Sequence, residues 1–211
     1  MKTDSRFIYV HDPMCSWCWG HRPVWRLFEA ELAKRVPVEY RVGGLAPDSD
    51  EPMPVAQQEA IRGYWQEIHS LLGVPFNFDF WTLNTPRRST YPACRAVLAA
   101  RWQQAERPMI DAIQEGYYLR ALNPSDVSTL VQLAEEIGLD ARKFTDDLVS
   151  AALNKAFEQE IDFARRLPIQ GFPSMVLVHE QTAYEISLDY KDYRGALRQV
   201  DSILGLPEVT I

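Results

Sequence analysis

The chain has 211 residues, 46% of them hydrophobic and 24% charged, with a formal net charge of -7. This is ordinary globular material, long enough for one domain with a large insertion or for two small domains. The acidic balance argues against nucleic acid or an anionic membrane as a partner, and no run approaches the ~20 apolar residues of a membrane span.

The start, Met1 to Arg6, has no apolar stretch ahead of a cleavage site, so no signal peptide is expected and the expected location is cytoplasmic. Phe7 to Val10 reads as a short buried strand ending at Asp12-Pro13. A helix pattern then starts at Cys15-Ser16-Trp17-Cys18 and runs to about Val36, with Val24, Leu27, Phe28, Leu32 and Ala33 at helical spacing. Pro23 falls inside it and is expected to kink or interrupt the first turns. Val38 to Val42 alternates as a second strand and stops at Gly43-Gly44. Strand, helix, strand in this order predicts a parallel pair with a right-handed crossover.

From about Pro47 to Pro168 the pattern is helical. Ile61, Tyr64, Trp65, Ile68, Leu71 and Leu72 form one stripe closed by Gly73, and Asn77 to Arg88 has no assigned structure. Ser89 or Thr90 caps a helix through Cys94, Met109 to Leu122 is a further helix, and Asn123-Pro124 starts the next. Asp140 and Ser150 open two more. The strand pattern returns at Met175 to Val178 and Ala183 to Leu188, joined by a polar turn as an antiparallel hairpin, and Tyr190 to Leu204 is a last amphipathic helix. The predicted class is α/β: residues 1–46 and 169–211 form a four-stranded mixed sheet, βαβ then ββα, and 47–168 form an all-helical insertion domain.

The chemistry concentrates at the two thiols. A cysteine where a strand hands over to a helix meets the helix's free N–H groups and positive dipole end, which favour thiolate, and a second thiol one turn on can close a disulfide. Three cysteines cannot staple a secreted framework, so a close pair points to catalysis or metal. Zinc would need two more ligands, with His11 and His21 nearest. A protonated histidine there would favour the thiolate, and an ionised Asp12 would oppose it. Met14 and Trp17 flank the pair, Cys94 reads as a core thiol, and Gln114, Tyr117 and Tyr118 could line a cleft or simply pack. The acidic stretches Asp146-Asp147 and Glu158 to Asp162 read as solvated helix faces.

Asp12-Pro13-Met14-Cys15-Ser16-Trp17-Cys18-Trp19-Gly20, Gly43-Gly44, Pro92-Ala93-Cys94-Arg95-Ala96, Gln114 with Tyr117, and Gly171-Phe172-Pro173-Ser174 together resemble the cytosolic DsbA-like thiol oxidoreductases, the FrnE-like branch of protein disulfide isomerases. The resemblance covers nearly the whole chain. It implies a thioredoxin fold interrupted by helices, with Cys15 reactive, Cys18 resolving, and Pro173 a cis-proline facing the pair. Trp17, Phe172, His11 and Met14 are then the expected substrate-contacting residues. The implied partners are thiol or disulfide proteins and peptides. No cofactor is expected beyond a Cys15–Cys18 disulfide, with glutathione as a possible reductant, and no metal. The competing expectations are a kappa-like glutathione-dependent transferase or isomerase, which has serine where Cys15 stands, and a non-catalytic peptide- or zinc-binding module.

Overall fold

The structure, a computed structural model, describes residues 5–207; the first residues of the expected leaderless start lie outside them. Strand β1 (Arg6–His11) is buried on both faces, which is why it reads as a continuous apolar run and not an alternation. It pairs in parallel with β2 (Val38–Val42), Tyr9 opposite Tyr40, and antiparallel with β3 (Ser174–His179), Tyr9 opposite Met175. β3 pairs antiparallel with β4 (Thr182–Ile186), giving the order β2-β1-β3-β4. The hairpin turns through Glu180 and Gln181, both at positive φ (48° and 66°), a twist that matches the flanking strands.

Helix α1 (Ser16–Leu32) is one continuous element, so Pro23 does not interrupt it. The proline ring lies on the exposed side, and its neighbours His21, Arg22, Val24 and Trp25 still pack inward. The helix also ends earlier than expected, and Leu27 faces solvent. Trp25 joins Val24, Phe28 and Leu32 on the buried face and turns that face away from Leu27.

Helix α2 (Val55–Leu72) buries only Trp65 and Ile68 of its expected stripe, while Tyr64 and Leu71 are about half exposed; Gly73, at φ 69°, ends it. It lies close against α1 at Gly20, where a Cβ would come within 2.9 Å of Ile68. The unassigned segment holds the short α3 (Phe80–Leu83). Helices α4 (Tyr91–Arg101) and α5 (Glu106–Leu119) follow. Next, α6 (Val127–Glu136) starts from Asp126 and not from Asn123-Pro124, because the Asn123 side chain instead accepts the Ser125 N–H in a local turn. Asp140 and Ser150 cap α7 (Ala141–Leu148) and α8 (Ala151–Arg165) as expected. Helix α9 (Arg194–Ile203) begins four residues later than predicted, since the Asp189 carboxylate accepts the N–H groups of Lys191 and Asp192 and holds that stretch as a turn.

The apolar core runs without a break from Phe7, Trp25 and Phe28 to Trp65, Tyr118 and Leu133. A smaller cluster, Ile8, Val10 and Val176 with Ala164 of α8, covers the other face of the sheet. Glu160 of α8 corrects the reading of Glu158 to Asp162 as a solvated face. It is buried, accepts the Val42 N–H at 3.0 Å, and pairs with Arg101 at 2.7 Å and Arg41 at 3.5 Å. These partners come from β2 and α4, and they supply the charges a buried carboxylate needs. Asp146 is exposed as expected, and Asp147 pairs with Lys143.

Candidate functional site

Cys15 is the N-cap of α1, in extended conformation, at the hand-over from β1. Its N–H bonds back to the Asp12 carbonyl at 3.0 Å, and its own carbonyl accepts from Trp19 at 3.1 Å. Asp12 fixes this turn. Its fully buried carboxyl accepts the N–H of Met14 (2.8 Å) and of Leu45 (2.7 Å), the Thr90 hydroxyl (2.6 Å) and the Cys94 thiol (3.5 Å). Thr90 is the N-cap residue of α4, one of the two expected, but its hydroxyl serves Asp12 and caps no helix N–H. Burial pushes the Asp12 carboxyl up, against the pull of these donors.

Across the site, the Cys15 thiol donates to the Phe172 carbonyl at 3.4 Å, joining positions 157 residues apart. The Phe172–Pro173 peptide is cis and Pro173 is buried. The Phe172 ring lies over Gly43, where an added Cβ would stand 2.0 Å from it. Gly43 is thus the seat of this ring, a close approach that only glycine allows. Cys15 is 6% exposed and Cys18 2%. Burial, then the neighbouring Cys15, pushes the Cys18 thiol up. The two cysteines are free thiols in this structure.

The structure brings Trp17, Phe172 and Pro173 to the thiol pair but sets Met14 and His11 beneath the surface. His11 shares a cavity of about 20 Å³ with Cys18 and Gln114, stacked on Tyr9 and edge-on to Tyr40. Burial, with Arg101 and Arg107 nearby, holds its ring down to about 3. Burial likewise takes His21 to about 4, with Asp189 opposing. Neither histidine is then a cation at neutral pH, so of the two opposing influences the sequence offered on the thiols, the histidine one falls away: the low dielectric that excludes water also excludes the charge. Among the described residues, no group of three or more His, Cys, Asp or Glu is placed to hold a metal ion. Cys94 is fully buried as expected, Trp19 packs on Tyr118, and Tyr117 and Tyr118 close around Trp65.

Sequence reasoning missed Tyr190. It lies in the turn that delays α9, with its ring edge-on to Trp17 (centroids 5.2 Å apart) and to His21 (5.4 Å). Nothing in its local pattern separates it from a helix residue.

A mixed four-stranded sheet with a dithiol at the first strand–helix turn, faced by a Phe-Pro turn and capped by inserted helices, defines a thioredoxin-like protein. A family model described as Thioredoxin matches residues 7–195, and the chain belongs to that family. A candidate protein disulfide isomerase from Nitrosomonas europaea superposes with a TM-score of 0.85, at 26% identity over 95% of this chain and 98% of its own. The cytosolic disulfide reductase DsbM from Pseudomonas aeruginosa, solved with GSH, shares the fold with a TM-score of 0.74, at 24% identity over 95% and 100%. In sequence, the ClpXP adapter protein SpxH of Bacillus cereus is 27% identical over 188 residues, 87% of this chain and 62% of its own length. SpxH of Halalkalibacterium halodurans is 24% identical over 82% and 58%. The chain thus spans about three fifths of the curated relatives it matches.

Proposed function

We propose that the protein is a cytoplasmic thiol:disulfide oxidoreductase that cycles Cys15–Cys18 between dithiol and disulfide, acting on protein, peptide or small-thiol disulfides. The observation that carries the reading is the Cys15 thiol at the start of α1 meeting the Phe172 carbonyl. A substrate chain laid along Gly171–Pro173 would exchange hydrogen bonds with that backbone and present its sulfur to Cys15. The Cys15 thiolate attacks one sulfur of the substrate disulfide and releases the other as thiolate. Cys18 loses its proton and attacks Cys15, which frees the second substrate sulfur as a thiol and leaves the Cys15–Cys18 disulfide. A thiol reductant of the glutathione class restores the dithiol; the GSH in the DsbM structure supports that assignment. Residues 47–168, on this reading, are the insertion that walls the site.

Direction follows potential. A site poised like DsbA lies roughly 100 mV above the cytosolic glutathione pool, which favours the reduced pair by roughly 4–5 kcal/mol. The protein would then rest reduced and act as a reductase or isomerase. Insulin reduction and scrambled-ribonuclease refolding test this: Cys15→Ser abolishes both, and unchanged turnover refutes the reading. The ClpXP adapter name of the sequence relatives favours a second reading, a non-catalytic docking protein that delivers a client to a partner. A variant with both Cys15 and Cys18 replaced by serine separates the two, because delivery by docking survives it and exchange does not.

A further inference from the structure

Cys15 is nearly closed off at rest, and thiol exchange depends on access to the attacked sulfur. One side of it is the Phe172–Pro173 turn. From that turn a groove of about 410 Å³ runs past Ser174 and Ile186 to Leu188, between the proline turn and the end of β4. Tyr190 stands two residues beyond the groove's end. Burial, then Cys18 and Cys15, pushes its phenol up. Its ring rests on Trp17, the residue between the two cysteines, and on His21. The segment that carries it, between β4 and α9, belongs to no sheet or helix ladder: its Asp189 turn orders it locally, and Leu188 and Tyr193 at its two ends pack on the core. A short segment of this kind can open without unfolding its neighbours.

We propose that the Tyr190 ring, seated on Trp17, is a specificity-determining gate over the Cys15–Cys18 pair, admitting small thiol reagents and extended chains from the groove and turning away bulky ones. The inference deepens the oxidoreductase reading and rests on it for its biological meaning, but the gate can be measured without turnover.

The test is the rate of Cys15 alkylation in the reduced full-length protein, located by peptide mass mapping. Iodoacetamide serves as the small probe and a polyethylene-glycol maleimide as the bulky one. The deciding quantity is the bulky-to-small rate ratio relative to wild type. Tyr190→Ala is expected to raise that ratio about two- to tenfold, the population cost of breaking one or two aromatic contacts. Tyr190→Phe keeps the ring and should match wild type. An unchanged ratio in Tyr190→Ala overturns the gate, and so does a Tyr190→Phe as open as the alanine variant. The fully buried Cys94 is an internal control. If it becomes alkylated the variant has loosened globally, and Tyr190→Leu, which keeps apolar bulk without the ring, is read by the same criterion. If the ratio shifts while insulin reduction is absent in wild type, the gate stands and the enzyme reading falls.

Discussion

His11 and His21 are each 1% exposed, and burial takes their rings to about 3 and about 4. In the unfolded chain both titrate near 6.5. Between these values the unfolded state binds protons that the folded state refuses, so stability is lost as the pH falls below about 6.5. At pH 5 each histidine costs about 2 kcal/mol relative to pH 7.5, or about 4 kcal/mol for the pair. For a domain of this size that is roughly 8–16 °C in Tm. Arg101 and Arg107 reinforce the effect at His11, Asp189 opposes it at His21, and Asp12, whose carboxyl burial pushes up, works in the opposite direction over its own range. Urea unfolding at pH 7.5, 6 and 5 isolates the histidines when wild type is compared with the His11→Gln/His21→Gln double variant. The new amide in the second of these substitutions can still meet the Tyr9 hydroxyl, which His21 Nδ1 contacts at 3.2 Å. Wild type should lose about 4 kcal/mol more than the variant between the extremes. Parallel pH profiles, within ~1 kcal/mol, would refute the picture of two buried neutral rings.

Glu160→Ala should cost about 3 kcal/mol or more in urea unfolding, because it strips Arg101 and Arg41 of a buried partner and leaves the Val42 N–H without its acceptor. Glu160→Gln, which keeps that acceptor, should cost less. Gly43→Ala drives a Cβ into the Phe172 ring and should destabilise by about 1–3 kcal/mol. It should also slow disulfide exchange by moving the Phe172 carbonyl off Cys15; an insulin assay at wild-type rate would show that the seat is not needed. Cys94→Ala removes one donor from the Asp12 carboxyl and should cost about 1 kcal/mol in thermal or urea unfolding, and Cys94→Ser should recover part of it.

The parts of the fold legible in the sequence were those whose cause is local. Phe7 to Val10, the alternation of Val38 to Val42 and the two runs around Glu180 and Gln181 carry their strand pattern within a few residues. Asp140 and Ser150 likewise cap helices with donors three residues on. Cys15 and Cys18 were visible because spacing and the strand–helix change coincide. What stayed hidden depends on partners far along the chain. Glu160 sits in a polar run, and partners far along the chain, Arg101 59 residues earlier and Arg41 and Val42 of β2, make it a buried group. Gly43 read as a turn signal, yet the demand on it comes from the ring of Phe172. Leu27, Tyr64 and Leu71 fit an apolar stripe by spacing, but each helix buries a narrower arc than its composition offers. His11 and His21 looked like candidate cations because their burial is decided by Tyr9, Tyr40 and Trp25, brought together only by the sheet and α1.

The Asp12 carboxyl binds the β1–α1 turn to Leu45, just after β2, and to Thr90 and Cys94, where α4 begins. It therefore works as a rivet that ties the β1–α1 turn both to the chain leaving β2 and to the start of α4 inside the helical segment. Trimming the chain to a minimal sheet, by splicing a linker in place of residues 47–168, would pull two of the four donors from the Asp12 carboxyl and strip away part of its cover. Any such miniature would have to trade Asp12 for an apolar residue or re-plumb the turn under Cys15, so the helical segment and the reactive thiol cannot be redesigned independently.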